Sequence, residues 1–182
     1  MKKIFLLPFI ALFLALGSCD QDESLDPRPV MVPGNFVRLD LTEGHKRMNA
    51  GDLENTYFGG LLTSPSGKVV KYNLYVRKMD GLAYATDFKL IKTITSFPAE
   101  LKVTPAEIAE ALDVPLNSLV FADTFRFYAE SFDDAGNRAD YYSLSATIQG
   151  AVFMRQAYRF ITDLTDQAGT EDANGLDNYP AQ

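Results

Sequence analysis

The 182-residue chain has no tryptophan, one cysteine and one histidine. A single thiol cannot close an internal disulfide, so burial and hydrogen bonding must hold the fold together. The one histidine, His45, sits between Gly44 and Lys46 in a polar stretch. That setting suits a solvated loop side chain better than a general base. No Gly-x-Ser-x-Gly elbow is present to carry a nucleophile. Positive charge is also scarce: 17 Lys and Arg stand against 24 Asp and Glu, for a net charge of −7. Such a balance argues against a nucleic-acid partner and against adhesion to anionic membrane surfaces. Carboxylates are plentiful, but a glycosidase pair needs one of them desolvated. The nearest candidate, Glu130 between Ala129 and Ser131, falls on the polar face of its segment. Asp133, Asp134, Asn137 and Asp140 could offer oxygens to calcium, yet they lack EF-hand spacing and are what a tight turn needs anyway. The residues name no catalytic group, no metal and no cofactor.

Long apolar runs are missing too, apart from one at the N-terminus. Lys2 and Lys3 precede 13 residues, Ile4 to Leu16, interrupted only by Pro8. A helix needs about 20 residues to span the hydrocarbon core, so this segment suits a cleaved export signal. It ends in Leu16-Gly17-Ser18-Cys19, which resembles the lipobox of bacterial lipoproteins. The resemblance implies cleavage after residue 18 and a diacylglycerol thioether on Cys19, usually with a third acyl chain on its amine. Two or three chains anchor stably where one does not. Loss of Lys2 and Lys3 leaves 15 basic against 24 acidic residues, a net charge of −9. Asp20-Gln21-Asp22-Glu23 then follows. The run resembles the surface-export signal of Bacteroidetes-type lipoproteins, whereas enterobacterial sorting would read Asp20 as inner-membrane retention. A merely solvated tether is the third reading.

Four regions follow: a signal at 1–18, a lipidated Cys19 with a tether to residue 34, one domain at 35–163 and an acidic tail at 164–182 expected to be disordered. Pro27, Pro29 and Pro33 stiffen the tether; about 15 extended residues reach about 45 Å. Inside the domain, Val37, Leu39 and Leu41 alternate with polar residues as in a half-buried strand. Residues 56–63 form a second strand, weakened by Gly59 and Gly60. The clearest strand follows, with Val70, Tyr72, Leu74 and Val76 on one side and Lys71, Asn73, Tyr75 and Arg77 on the other. Residues 88–94 are extended, and Leu101 and Val103 mark a short strand. Thr104-Pro105-Ala106-Glu107 opens a helix over 104–112, with a threonine cap, proline at the first position and glutamate three residues after the cap. Its apolar face is Ile108, Ala111 and Leu112. Phe125, Phe127, Ala129 and Ser131 point inward in a strand that turns at 133–137 and returns as a strand over 138–148. Residues 152–164 suit either a helix or a final edge strand, and the strand is preferred.

Six or seven short strands separated by turns predict a mainly β fold, a β-sandwich. The segment from Asp123 to Ser131, with Asp134-Ala135-Gly136-Asn137-Arg138, resembles the F–G hairpin of fibronectin type III and immunoglobulin-like domains. Phe125 stands where that family usually has tyrosine, so the family's corner hydrogen bond is missing. Phe97 to Leu112, leading into that hairpin, resembles the N-terminal domains of SusE/SusF-type outer-membrane lipoproteins. This likeness implies a spacing or docking role beside a SusC/SusD-type transporter complex in a starch-utilisation-type glycan-uptake system, at the outer membrane and facing the cell exterior. In that family sugar binding falls to C-terminal modules, so the resemblance does not lead one to expect it of this domain.

If the strands near 69–78 and 124–132 are neighbours, Lys71, Asn73, Tyr75 and Arg77 share a face with Arg126, Tyr128 and Glu130. Tyrosines among charged groups can stack on a sugar and bond its hydroxyls, or dock a protein. The same face could equally be a solvated sheet surface with cross-strand charge pairs. Three readings result: a non-catalytic accessory module of a glycan-uptake system, a stand-alone carbohydrate-binding protein using the tyrosine face, and a small hydrolase, which the residues favour least. Absence of tryptophan weighs against strong sugar stacking.

Overall fold

The computed structural model describes residues 35–166. The signal, Cys19, the tether and the tail beyond residue 166 lie outside the described residues. Strands are β1 (Arg38–Leu41), β2 (Met48–Asn49), β3 (Phe58–Thr63), β4 (Val69–Asp80), β5 (Ala83–Tyr84), β6 (Lys89–Ile94), β7 (Ala99–Val103), β8 (Thr124–Asp133), β9 (Arg138–Asp140) and β10 (Arg159–Thr165). Helices are α1 (Pro105–Leu112) and the short α2 (Ala146–Gly150). Among the described residues no helix is long and apolar enough to cross a membrane.

The fold is mainly β, built as two sheets. One has the order β1-β3-β7. The larger runs β2-β10-β8-β4, with β6 and β5 on the far side of β4, and β9 on β8. All pairings are antiparallel except β10 with β2. Strand β8 alternates strictly between half-buried and buried residues, and Phe125, Phe127, Ala129 and Ser131 face inward as the sequence predicts. The two sheets meet through aromatic rings. Phe58 of β3 stacks on Phe127 of β8 at 5.8 Å and on Phe160 of β10 at 5.5 Å, and those two stack on each other at 5.0 Å. Leu39, Leu62, Leu74, Val76, Leu101 and Ile108 complete the fully buried centre. This layering is consistent with a β-sandwich.

Helix α1 starts at the expected cap. Thr104 accepts from the Glu107 N–H at 3.2 Å, and the Glu107 carboxylate accepts from the Thr104 N–H at 2.9 Å. Its buried face is Ile108, Ala109 and Leu112, with Ala111 only half-buried. Glu107 also pairs with Lys92 of β6 at 2.5 Å, which ties the helix to the larger sheet.

Four sequence expectations need correction. Val70 is 45% exposed, while Val69 and Tyr72 are buried. The pairing of β4 with β8 shifts register between Val69 and Lys71, and this bulge turns Val70 outward. The return strand stops at Asp140 rather than continuing to 148. Asp140 caps a 3-10 turn at 141–143: its carboxylate accepts from the Ser143 N–H at 3.0 Å, and Ser143 Oγ accepts from the Asp140 N–H at 3.2 Å. Ser145 then caps α2. Residues 152–158 are not strand; β10 begins at Arg159 and lies between β8 and β2. Finally, Leu164, placed in the tail by sequence, is a core residue of β10 with 1% exposure.

Two buried tyrosines are hydrogen-bonded through their hydroxyls. Tyr158, fully buried, accepts from the Val37 N–H at 3.1 Å, donates to the Asn35 carbonyl and shares a bond with Ser131 Oγ at 2.8 Å. Tyr72, also buried, donates to the Ala157 carbonyl. Burial raises the pKa of both phenols, Tyr158 to about 12. Both are therefore neutral donors at physiological pH.

Candidate binding face

The long strands β4 and β8 are held in one register, with Lys71 opposite Phe132, Asn73 opposite Glu130, Tyr75 opposite Tyr128 and Arg77 opposite Arg126. Side chains directly opposite in an antiparallel pair share a face. Lys71, Asn73, Tyr75, Arg77, Arg126, Tyr128 and Glu130 therefore lie together on the outer face of the larger sheet. Strand β10 widens it, because Arg159 is opposite Tyr128 and Ile161 is opposite Arg126.

The face divides into two halves of unlike chemistry. At one end, Arg138 of β9 bridges Glu130 and Asp140, each at 2.8 Å. Tyr128 donates to Asp140 at 2.8 Å and Tyr75 to Glu130 at 3.3 Å. Burial and then the Asp140 bond push the Tyr128 phenol up to about 12; burial and Glu130 raise Tyr75. Burial alone would raise Asp140, but hydrogen bonds from Tyr128 and Ser143 and the charge of Arg138 outweigh it and hold its carboxyl below the usual range. A carboxylate depressed in the folded state contributes stability above its unfolded pKa, about 3.9, and loses it as pH falls through the lower folded value. Asp140→Asn is therefore expected to flatten the fall in stability below about pH 4. Urea denaturation across that range checks this, and an unchanged acid limb would refute it.

At the other end, aromatic rings hold arginines. The Arg77 guanidinium carbon lies 3.2 Å from the Tyr84 ring centroid and 4.1 Å from that of Phe88. Arg126 lies 5.8 Å from the Tyr84 centroid and donates weakly to its hydroxyl at 3.4 Å. Arg159, opposite Tyr128 where the two halves meet, sits 5.1 Å over Tyr141. Burial lowers the pKa of Arg126, and the neighbouring charges of Arg159 and Arg77 lower it further.

The tyrosines themselves are not open platforms. Tyr75 and Tyr128 tilt against each other at 6.4 Å, and Phe88 covers Tyr128 at 5.6 Å. Both hydroxyls already have carboxylate partners. Asn73 accepts from Thr93 of β6 at 3.0 Å, and Lys71 lies over Phe132 at 5.0 Å, at the far end of the sheet from Arg77.

Sequence reasoning missed Tyr84, Phe88, Arg138 and Arg159. Tyr84 and Phe88 follow the Asp80-Gly81 break, where a return strand β5 only two residues long gives no periodic signal. Arg159 would have followed from a strand register for β10. Tyr141 and Tyr142, on the 3-10 turn, divide into one buried and one 73% exposed ring. His45 is no free loop side chain: it stacks on Tyr57 at 3.7 Å and 15°. Around the turn at 133–137, the Asp133 oxygens accept from the Asn137 backbone N–H at 2.7 Å and side-chain amide at 2.8 Å, so Asp133 serves the turn.

A separate cleft of about 290 Å³ lies between the β3–β4 and β6–β7 turns, lined by Thr63, Ser64, Val70, Thr95, Ser96 and Phe97 among others. It contains no titratable side chain. Comparison of the chain with protein-family models, with curated proteins and with solved structures returns no significant match.

Proposed function

We propose that this chain is a non-catalytic accessory module of a glycan-uptake system, anchored to the outer membrane through Cys19 and presenting one sheet face to the cell exterior. The observation that carries the reading is the concentration of side chains on that face. Arg77, Arg126, Arg138 and Arg159, with Tyr75, Tyr84, Phe88 and Tyr128, are gathered on adjacent strands of a protein whose net charge is −7. Arginine and aromatic residues are enriched where proteins bind partners. The three-strand sheet β1-β3-β7 facing β10-β8-β4-β6 supports the fibronectin type III-like reading of the fold. The lipobox at 16–19 supports the anchor.

A second reading, direct saccharide binding, is favoured by the rings bordering the arginines. It needs a different cluster from the Tyr75 and Tyr128 pair, since those rings are covered.

The test is made in the native membrane. Wild-type protein is expected to incorporate a labelled fatty acid, to sediment with outer membranes and, after mild crosslinking, to be recovered with a SusC/SusD-type transporter pair. Cys19→Ala should lose the label and the sedimentation almost completely, because the chain has no other thiol. Unchanged labelling of Cys19→Ala, or recovery of the wild type alone, would overturn the corresponding half of the proposal.

A further inference from the structure

We propose that Arg77, Arg126 and Arg159, framed by the rings of Tyr84, Phe88 and Tyr141, form a binding site for the carboxylate or sulfate groups of an acidic saccharide chain. The inference rests on the reading of this chain as a binding module and names the ligand class of its face.

The first observation is that these three cations lack counter-charges. Four acids on or beside these strands are engaged elsewhere: Asp123 with Lys78 at 2.7 Å, Asp163 with Arg47 at 3.3 Å, and Glu130 and Asp140 with Arg138. Among the described residues, Arg77, Arg126 and Arg159 make no salt bridge, although acids outnumber bases 24 to 17 in the chain. Like charges placed on neighbouring strands oppose folding. An arrangement that keeps three of them together is relieved when an anion enters.

Hydrogen-bonding capacity is the second observation. The Nε atoms of Arg77 and Arg126 are buried without a partner. A guanidinium carries five donors in a planar fork suited to an oxyanion. In Arg77 the guanidinium packs against the rings of Tyr84 and Phe88, and its Nε donor is left unpaired. Stacking thus fixes the orientation of the fork without using its hydrogen bonds.

Geometry indicates a chain rather than a lone ion. Arg77 and Arg126 are direct cross-strand neighbours, and Arg159 is one rung away on the next strand. Three adjacent strands span about 10 Å, so the cations can meet charges on more than one residue of a polymer. The carrier also meets flat rings. Tyr84 is 55% exposed beside Arg77, and aromatic faces take the apolar side of a sugar ring. On the strands of this part of the face the aliphatic residues are Leu90 and Ile161, with Leu82 fully exposed at the adjoining β4–β5 turn, scattered positions rather than the continuous apolar centre of a protein interface.

The experiment is titration calorimetry with the detergent-extracted full-length protein. Probes are a sulfated oligosaccharide, a uronic-acid oligosaccharide, a neutral oligosaccharide of equal length, inorganic sulfate and an Asp/Glu-rich peptide. One or both acidic saccharides are expected to bind, more weakly as salt rises, and which of them binds identifies the oxyanion. Arg126→Gln and Arg159→Gln should each weaken binding about tenfold or more, Arg126→Lys should restore it only in part, and Lys68→Gln, an exposed residue of the β3–β4 turn, should leave it unchanged. Unfolding midpoints close to wild type show that the variants fold; if Arg126→Gln does not fold, Arg159→Gln decides. Failure of both acidic saccharides to bind, equal binding of the neutral one, or no effect of Arg159→Gln overturns the site. Affinity no better than for inorganic sulfate, or tighter binding of the peptide, overturns the saccharide assignment. None of these results touches membrane attachment or crosslinking to a transporter, so the two proposals fail separately.

Discussion

Phe127→Ala is expected to destabilise the protein by about 3–5 kcal/mol, the usual cost of removing a buried aromatic ring. Phe127 has no exposed surface and packs against both Phe58 and Phe160, which also touch each other. It is therefore the point at which the β3 layer is joined to β8 and β10. Truncation leaves a void bounded by two other large rings that are themselves fixed by strand pairing, so collapse around the void is limited. Domains of this size are stable by only about 5–15 kcal/mol, and the variant should lose a large share of that. Urea denaturation measures it directly. Tyr142→Ala, which removes a ring that is 73% exposed, should change stability by less than about 0.5 kcal/mol. Equal midpoints for the two variants would show that the three-ring stack does not hold the layers together.

Gly60→Ala is expected to be nearly as damaging for a backbone reason. Gly60 lies in β3 between β1 and β7, opposite Leu41 on one side and Leu101 on the other. A Cβ added there would lie 2.1 Å from the Asp40 carbonyl oxygen and 2.6 Å from the Leu41 Cα. No rotamer relieves the clash, because the obstructing atoms are main chain; strand β1 would have to move away. Overpacking of this kind costs about 1–3 kcal/mol, occasionally more, and the upper end applies here. Gly67→Ala offers the contrast. Its Cβ would meet open space, and only the left-handed backbone (φ +67) opposes it, so about 1 kcal/mol is expected. If Gly60→Ala proves no worse than Gly67→Ala, the close approach of β1 to β3 is not a structural requirement.

These two residues show how much of the fold was legible. The period-2 pattern in β8 identified Phe127 as inward-facing, and burial agrees. Gly59 and Gly60 pointed the wrong way: as weak strand formers they lowered expectation for β3, yet both are fully buried in it. A propensity describes an isolated chain, whereas close approach of a neighbouring strand is a tertiary fact. Helix α1 was legible because its cap is local, four consecutive residues satisfying their own donors. Residues 141–158 were not, because the Asp140 and Ser145 caps lie inside apolar alternation that reads equally well as strand. For the candidate face, alternation gave the outward set of each strand, the fibronectin-like resemblance set the two strands side by side, and all seven expected residues share one surface. The pairing of charges within it was not recoverable. Nothing in the sequence says that Arg138 would take both Glu130 and Asp140 and leave Arg77, Arg126 and Arg159 together.

The way the chain enters the domain has a mechanical consequence. Residues 37–39 run alongside 155–157, with the Ala157 N–H bonded to the Val37 carbonyl at 3.0 Å and the Leu39 N–H to the Arg155 carbonyl at 2.9 Å. Val37 also bonds to the Tyr158 hydroxyl, and Arg155 pairs with Asp40. Directly afterwards the same stretch becomes β1 and pairs with β3 of the other sheet. Tension arriving through residue 35 is therefore divided between the two layers: the Tyr158 side resists it through one set of bonds and β3 through another, loaded in shear along the strand. A domain fastened this way at its entry point is suited to being held by one end, with both sheets sharing the load before any of it reaches the aromatic stack between them.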